Sequence, residues 1–211
     1  MEVKERIIKE TEALFWKYGV RSITMDDIAR QIGISKKTIY QHFTDKDDIV
    51  FQVMHYRMEL DRKNADCQMA EIENPIEEML MVSEMMRTQL ATMNPSLIID
   101  VQRHYPRAWQ VFTDFKEKFV LEQIRENLRR GVAQGLYLAS VDIEIMSRLR
   151  IELVQLGFNE LIFPVSRSRT LADVQIQLLH HFIRGILTEK GISIYNQYLT
   201  EYRNEQASIT G

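Results

Sequence analysis

The segment from residue 24 to residue 46, TMDDIARQIGISKKTIYQHFTDK, places the strongest constraint on the fold of this chain. Between Met25 and Ile32 apolar residues recur at helical spacing, and Thr24 before them is a favoured N-cap residue. Gly33 then permits a sharp reversal of the chain, because glycine adopts a positive φ without steric cost. The segment therefore predicts two short helices joined by a tight turn, a helix-turn-helix.

The second of these helices is predicted to follow an N-cap at Ser35 and to turn Ile39 and Phe43 inward. The polar side chains that then face outward are those of Lys36, Lys37, Thr38, Tyr40, Gln41 and His42. In a helix-turn-helix the second helix lies in the DNA major groove with its N-terminal residues toward the base edges. Lysines at a helix N-terminus oppose the helix dipole, so nearby phosphates would explain them. The alternatives are a solvated basic face and, for Tyr40 and His42, packing against the first helix.

The whole chain has only eight glycines and four prolines, and outside the motif it shows no strand pattern, so the rest of the chain is predicted to be a succession of helices. Three of the expected helices begin at an Asn-Pro or Tyr-Pro pair, and two later ones follow a capping Asp142 or Thr170. The fold class predicted is all-α. The expected helices cover about 2–18, 24–32, 36–43, 45–70, 75–93, 95–103, 106–134, 142–163, 170–190 and 192–203.

Bulk composition does not suggest a nucleic-acid partner, because 27 basic and 30 acidic residues leave a net charge of −3. Any contact with DNA must come from local placement. The single Cys67 excludes an intrachain disulfide and a cysteine-based metal cluster. No apolar run approaches the ~20 residues of a membrane span, and residues 1–9 lack the apolar core of a signal peptide. We expect a cytoplasmic protein with no membrane contact.

The motif also resembles the DNA-binding segment of tetracycline-repressor-like (TetR family) regulators. The matching residues are Thr24, Ile28, Ala29, Gly33, Ile34, Ser35, Thr38, Ile39, Tyr40, His42, Phe43 and Lys46. The resemblance covers roughly residues 2–50. It implies that the DNA backbone is contacted by Thr24, Thr38, Tyr40, His42 and Lys46, and that Lys36, Lys37 and Gln41 lie nearest to the base edges. Many relatives have a small residue in place of Lys37 and a tyrosine in place of His42, so base preference does not carry over.

The expected organisation is a helix-turn-helix DNA-binding domain at 1–48 and a helical ligand-binding and dimerisation domain at 49–211. A dimer would place two recognition helices on a palindromic double-stranded operator. The predicted helix at 142–163 has two apolar arcs, and the predicted helix at 170–190 has a single wide arc. Each helix therefore has more apolar surface than a helix that packs on one side only. We expect a homodimer through these two helices. The alternative is a helix wholly buried in a monomer.

Methionine and aromatic residues are frequent between residues 75 and 134, and methionine adapts to irregular apolar space. The resemblance implies a cavity there for an unidentified small-molecule ligand. The candidate lining residues are Met79, Met86, His104, Tyr105, Trp109 and Phe112. Ordinary core packing is the alternative for each of them.

No catalytic, cofactor-binding or metal-binding motif is present, so we expect no enzyme, no cofactor and no metal. The leading hypothesis is a repressor that a small lipophilic ligand releases from its operator. The alternative is a helical scaffold or effector-binding protein whose helix-turn-helix serves protein contacts. Retention of promoter DNA that falls steeply with salt discriminates between them.

Overall fold

The computed structural model describes residues 2–69, 71–159, 161–166 and 169–210, with side chains as far as residue 200. Within these ranges the regular structure is helical, and β-pairing is limited to the single bridges Tyr137–Leu187 and Ser166–Arg169. The all-α class expected from the sequence is confirmed. No helix in the described part of the chain combines the length and apolarity that crossing a bilayer requires.

Eleven α-helices are described in these ranges. A single π-helical turn, Lys116–Val120, joins the seventh to the eighth, so that the helix expected over 106–134 is almost continuous. The helices are α1 Val3–Tyr18, α2 Met25–Ile32, α3 Lys36–Tyr40, α4 Lys46–Met69, α5 Pro75–Thr92, α6 Ser96–His104, α7 Pro106–Phe115, α8 Leu121–Ala133, α9 Ile143–Gly157, α10 Leu171–Ile186 and α11 Glu189–Thr210.

The chain divides into two compact units. The first unit comprises residues 1–67 and 89–119, and the second comprises residues 68–88 and 120–211. Each unit thus contains two separate stretches of sequence. The functional division expected at residue 48 stays a prediction, and residues 49–67 belong to the first unit together with the helix-turn-helix.

The first unit has its own apolar core, and hydrogen bonds join its two stretches. The indole Nε1 of Trp16 donates to Thr92 Oγ1 at 3.0 Å, and the backbone N–H of Asn94 donates to the Trp16 carbonyl at 2.8 Å. Burial of apolar side chains is the main stabilising contribution in such a core. The core includes Ile7, Phe15, Val20, Ile23, Met25, Ile28, Ala29, Ile32, Ile39, Phe43, Ile49, Val50 and Val53.

The second unit is built around an apolar cluster with one buried polar network inside it. Tyr137 is 1% exposed, and its hydroxyl donates to Asn127 Oδ1 at 3.1 Å. The Asn127 amide in turn donates to the Pro75 carbonyl at 2.9 Å, so these buried polar groups are partnered. The apolar cluster consists of Ile76, Met79, Leu128, Leu136, Tyr137, Leu179, Phe182, Ile183, Ile186, Leu187 and Tyr195.

The expectation that one helix reaches residue 163 is wrong, because α9 ends at Gly157. Asn159 begins a separate local turn: its Oδ1 accepts from Leu161 N at 3.0 Å and its carbonyl accepts from Phe163 N at 2.9 Å. Asparagine competes in this way with helical hydrogen bonding. The second helix of the helix-turn-helix is shorter than expected as well, since α3 ends at Tyr40 rather than at residue 43.

The expected break at Gly191 is also wrong. The preceding helix already ends at Ile186, where Leu187 is extended and its neighbour Thr188 bonds to the Leu136 carbonyl. Gly191 lies within α11, where an added Cβ would sit 2.2 Å from the Leu136 oxygen. This glycine therefore allows the close approach of two backbones and does not end a helix.

Gly33 ends α2 with a left-handed φ of 72°, and no atom outside its neighbours lies within 4 Å of a Cβ placed there. We expect Gly33→Ala to lower the free energy of unfolding by about 1 kcal/mol, because L-residues are strained in this conformation. Gly33→Asn is the matched control, with a smaller loss, since asparagine tolerates the left-handed region better. Urea denaturation measures both, and an alanine variant as stable as the wild type would contradict the expectation.

Candidate nucleic-acid interface

The first helix of the motif, α2, is fixed at both ends. At its start Thr24 Oγ1 accepts from Asp27 N at 3.2 Å, while the Asp27 carboxylate accepts from Thr24 N at 2.9 Å, which completes a capping box. At its end the Arg6 guanidinium of α1 donates to the Ile32 carbonyl at 2.9 Å. The backbone N–H of Gly33 then donates to the Ala29 carbonyl at 3.0 Å, as expected for a glycine C-cap.

The second helix, α3, follows directly after the turn. Ser35 Oγ accepts from Thr38 N at 3.0 Å and caps it. Ile39 is fully buried and Phe43 is 2% exposed, so both anchor this segment in the core of the first unit. The two inward positions expected from the sequence are confirmed, and the opposite side of α3 is left outward.

The outward side of α3 carries Lys36, Lys37, Tyr40 and Gln41, all exposed. Tyr40 is 48% exposed, so its side chain is not enclosed by the first helix. Lys37 and Gln41 make no side-chain hydrogen bond or ion pair with any described residue. These donors and acceptors are therefore free to meet base edges, whose contacts carry sequence information.

Lys36 differs from Lys37 because it already has a partner. Its Nζ donates to Asp26 Oδ2 at 2.9 Å, and this hydrogen bond raises the pKa of Lys36. Both side chains are exposed, and such an ion pair contributes little in solvent. An approaching phosphate or base can compete with Asp26 for the ammonium group. The sequence did not predict this pair, because its members lie ten positions apart.

The remaining candidates surround the motif. Thr38 is half-buried and its hydroxyl lies 2.8 Å from Ser35 Oγ, while His42 is exposed with its ring edge toward Phe43. Lys46 begins α4, and its Nζ donates to the Val20 carbonyl at 2.7 Å. Burial lowers the pKa of Lys46, and its ammonium group has two further N–H groups that can reach an anion.

Arg21 is a further basic residue near the motif, and sequence periodicity did not indicate it. Arg21 is exposed and lies close enough to Lys46 to lower the pKa of that lysine by charge repulsion. Arg21 precedes the helix-turn-helix and follows no helical periodicity, so its sequence position carried no signal. Arg21 and Lys46 together place positive charge beside the helix-turn-helix.

The six residues proposed to line a ligand cavity are divided between the units. Met79 is 7% exposed within the apolar cluster of the second unit, and Met86 of the same unit is half-buried. His104, Tyr105, Trp109 and Phe112 belong to the first unit. In that group His104 is exposed, and the rings of Trp109 and Phe112 lie 5.0 Å apart. Neither unit contains all six, so their role in ligand binding stays a prediction.

No arrangement of three or more His, Cys, Asp or Glu side chains suited to a metal ion is found among the residues with described positions. The outward side of α3 is the site whose chemistry is most clearly defined. It combines two exposed lysines, a phenol and an amide on one short helical segment.

Comparison with known proteins agrees with this geometry. Residues 7–53 match the model of the bacterial regulatory proteins of the tetR family. An HTH-type transcriptional regulator of Staphylococcus aureus (strain bovine RF122 / ET3-1) is 41% identical over 54 residues, which is 26% of this chain and 29% of that protein. The chain thus matches less than a third of the length of this curated relative.

Solved structures extend the likeness to the whole fold. A protein described as a transcriptional regulator from Saccharomonospora viridis, crystallised in complex with choline, has a TM-score of 0.73. It is 18% identical, and the match covers 88% of this chain and 98% of that one. A TetR-family transcriptional regulator from Agrobacterium tumefaciens has a TM-score of 0.70 at 15% identity, over 88% and 97% of the two chains. At these identities the likeness concerns the fold alone.

The capping box at Thr24 generates a test of how the motif is held. The Thr24 hydroxyl and backbone N–H donate to the Asp27 carboxylate, and these hydrogen bonds lower the pKa of Asp27. A carboxyl whose pKa is lowered by folding stabilises the protein above its unfolded pKa of about 3.9, and the contribution disappears as pH falls through the folded value.

We therefore expect Thr24→Ala to destabilise the protein at pH 7, where loss of a threonine cap costs about 1 kcal/mol. Below about pH 4 the difference from the wild type should shrink without disappearing, since protonation weakens the bond from the hydroxyl to the carboxylate but leaves the cap bond from Asp27 N to Thr24 Oγ1. Thr24→Ser, which keeps the hydroxyl, is the control. Urea denaturation between pH 2 and pH 7 measures all three proteins, and a pH-independent difference would contradict the assignment.

Proposed function

We propose that the protein is a DNA-binding transcriptional regulator, since residues 7–53 match the model of the tetR family of bacterial regulatory proteins. The observation that carries the proposal is the exposed face of α3, with Lys37, Tyr40 and Gln41 outward and Ile39 buried behind them. A helix held in this way presents its N-terminal side chains to the major groove.

The residues of the interface divide into two roles. Lys37 and Gln41, with Lys36 once it leaves Asp26, are placed to read base edges. Thr24, Thr38, Tyr40, His42 and Lys46 surround the helix and are suited to phosphates, which fix the protein on the duplex without reading sequence. Since the net charge of the chain is −3, affinity for DNA depends on this local cluster and not on bulk charge.

The proposed regulator acts as a homodimer through α9 and α10. One apolar arc of α9 is exposed, with Ile145 at 64%, Leu149 at 43% and Leu156 at 36% exposure, while Ile151 on the other arc is buried. A contiguous exposed apolar face of this kind is typical of a protein interface. A twofold dimer would offer two α3 helices to half-sites of a palindromic operator, about 34–36 Å apart.

A small molecule is proposed to control operator binding, most simply by releasing a repressor. The protein from Saccharomonospora viridis with the same fold is bound to choline, which supports a ligand site in a chain of this architecture. Such control requires that the ligand has different affinities for the operator-bound and the operator-free protein. A coupling of about 1–3 kcal/mol would change DNA affinity roughly 5- to 150-fold.

The direct test is gel retardation with DNA from the promoter of the protein's own gene and its neighbours, at increasing salt. Specific retention that falls steeply with salt is expected, since phosphate contacts release counterions. Lys46→Ala should weaken binding to all sequences about equally. Lys37→Ala and Gln41→Ala should each lower the binding free energy for the preferred sequence by about 1–3 kcal/mol and relax the base preference at one position. Lys9→Ala, an exposed lysine of α1, is the matched control.

The three interface variants must unfold at midpoints close to that of the wild type for their DNA affinities to be compared. This matters most for Lys46, which also bonds to the Val20 carbonyl. An equal loss across all sequences for every variant would contradict the division into positioning and reading. Absence of any specific retention by the wild type would favour the alternative function in protein contacts.

The proposed dimer interface yields a separate expectation. Ile145→Glu should convert the dimer to a monomer in sedimentation velocity and abolish tight operator retention, because a charge would be buried in an apolar interface. Ile192→Glu is the matched control, since this isoleucine is 44% exposed on α11, outside the proposed interface. A protein that stays dimeric after the Ile145 change, or is monomeric from the outset, would contradict this assembly.

A further inference from the structure

Arg150 is a buried cation without a partner in the described chain. It lies on α9 and is only 5% exposed, although arginine is rarely buried unless paired. Among the residues that the structure describes, none is a hydrogen-bond partner of its Nη1, and no carboxylate forms an ion pair with the guanidinium. The other buried arginine nitrogen without a partner, Arg130 Nε, belongs to a side chain that already pairs with Glu78.

The charge of Arg150 persists despite its burial. Burial lowers the pKa of Arg150 to about 10, which is still well above neutral pH. The second unit therefore carries a positive charge in its interior at physiological pH. A buried charge is strongly unfavourable unless an opposite charge or several hydrogen bonds compensate it. An anion brought beside the guanidinium would supply both, most effectively as a bidentate carboxylate or phosphate.

A second buried polar atom without a partner lies one helical turn further along. Gln175 of α10 is 2% exposed, and its Nε2 donates to the Val154 carbonyl of α9 at 2.8 Å. Its Oε1 is buried and accepts no hydrogen bond. Val154 follows Arg150 by four residues, so the two positions lie about 40° apart on α9, one turn from each other. Arg150 and Gln175 thus provide a cationic fork and a neutral acceptor at neighbouring turns of α9 in the interior of the second unit.

The direction of Arg150 argues against a partner subunit as the source of the anion. At 100° per residue, Arg150 lies about 120° round α9 from the middle of the exposed arc of Ile145, Leu149 and Leu156. It shares the buried side of the helix with Ser147 and Ile151. A second copy docked on the exposed arc would therefore meet a different side of α9, which favours an anion that enters the unit itself.

We propose that Arg150 anchors the anionic group of a small organic molecule, a carboxylate or a phosphate, within the second unit. The apolar side chains of α8, α9 and α10 would enclose the uncharged part of that molecule, and Gln175 would accept a hydrogen bond from it. This inference rests on the proposed function in one respect only: it takes the bound anion to be the molecule that controls DNA binding. The binding itself is independent of that role.

The test compares thermal unfolding of the wild type and Arg150→Met in Tris chloride buffer, with inorganic phosphate or sodium octanoate as the added anion. Octanol and octylammonium chloride are the head-group controls, since they share the octyl chain but lack the negative charge. Arg148→Met is the matched protein control, an exposed arginine on the same helix. Arg150→Gln serves as a second variant that keeps a polar side chain if methionine impairs folding.

We expect at least one of the two anions to raise the midpoint of the wild type and Arg148→Met by about 3 °C or more at saturating concentration. Neither should raise that of the Arg150 variants, and the uncharged and cationic probes should have no comparable effect on any protein. A response to octanoate alone assigns a carboxylate, and a response to phosphate alone assigns a phosphate group. Without added anion, Arg150→Met should unfold at or above the wild-type midpoint, because an uncompensated charge has been removed.

Equal responses of the wild type and Arg150→Met to both anions would overturn the proposal, as would an octanol effect as large as that of octanoate. A lower midpoint for Arg150→Met in chloride alone would also overturn it, since protein groups would then already compensate the guanidinium. Gel retardation of the same proteins distinguishes failure of the Arg150 site from failure of the proposed function. If the proposed function fails, the wild type retains no operator DNA, whereas failure of the Arg150 site leaves that retention intact.

Discussion

The burial of Ile39 and Phe43 determines which side of α3 faces outward, and the rest of the interface depends on that orientation. Because these two side chains lie in the core of the first unit, the opposite side of the segment faces solvent, with Lys37, Tyr40 and Gln41 on it. The turn at Gly33 and the caps at Thr24 and Ser35 set the angle and the start of each helix. Specific chemistry toward DNA is thus a consequence of apolar packing behind it.

The same division between a packed side and a free side is repeated in α9, with a different result. Its free side is apolar and suits a second copy of the chain, whereas its packed side holds the guanidinium of Arg150. The helix thus departs from an ordinary amphipathic helix at two points: it exposes Ile145 and Leu149 and buries the charged Arg150. If both inferences hold, a single helix joins the dimer contact on one side to the bound anion on the other, which is a short route for coupling between them.

Sequence periodicity predicted the helix-turn-helix well because every signal in it is local. The N-caps, the inward apolar positions and the glycine turn act within a few residues of one another, so pattern and structure agree. Helix ends were less predictable: Asn159 ends α9 early through its own turn, and Gly191 is required by a distant backbone oxygen. The Lys36–Asp26 pair and the burial of Arg150 arise only when separate helices pack, and periodicity alone gives no sign of either.

A helix of five residues, the length of α3, has no stability of its own, because nucleation of a single helical turn is unfavourable in water. Its helical conformation is therefore stabilised by packing against the surrounding core. Mutations at buried apolar positions such as Ile28 would therefore give the same phenotype in a genetic screen as mutations of the side chains proposed to face the DNA groove. For the proposed regulator, alleles that lose DNA binding would be scattered across the whole first unit, and their distribution alone would not outline the surface proposed to contact the duplex.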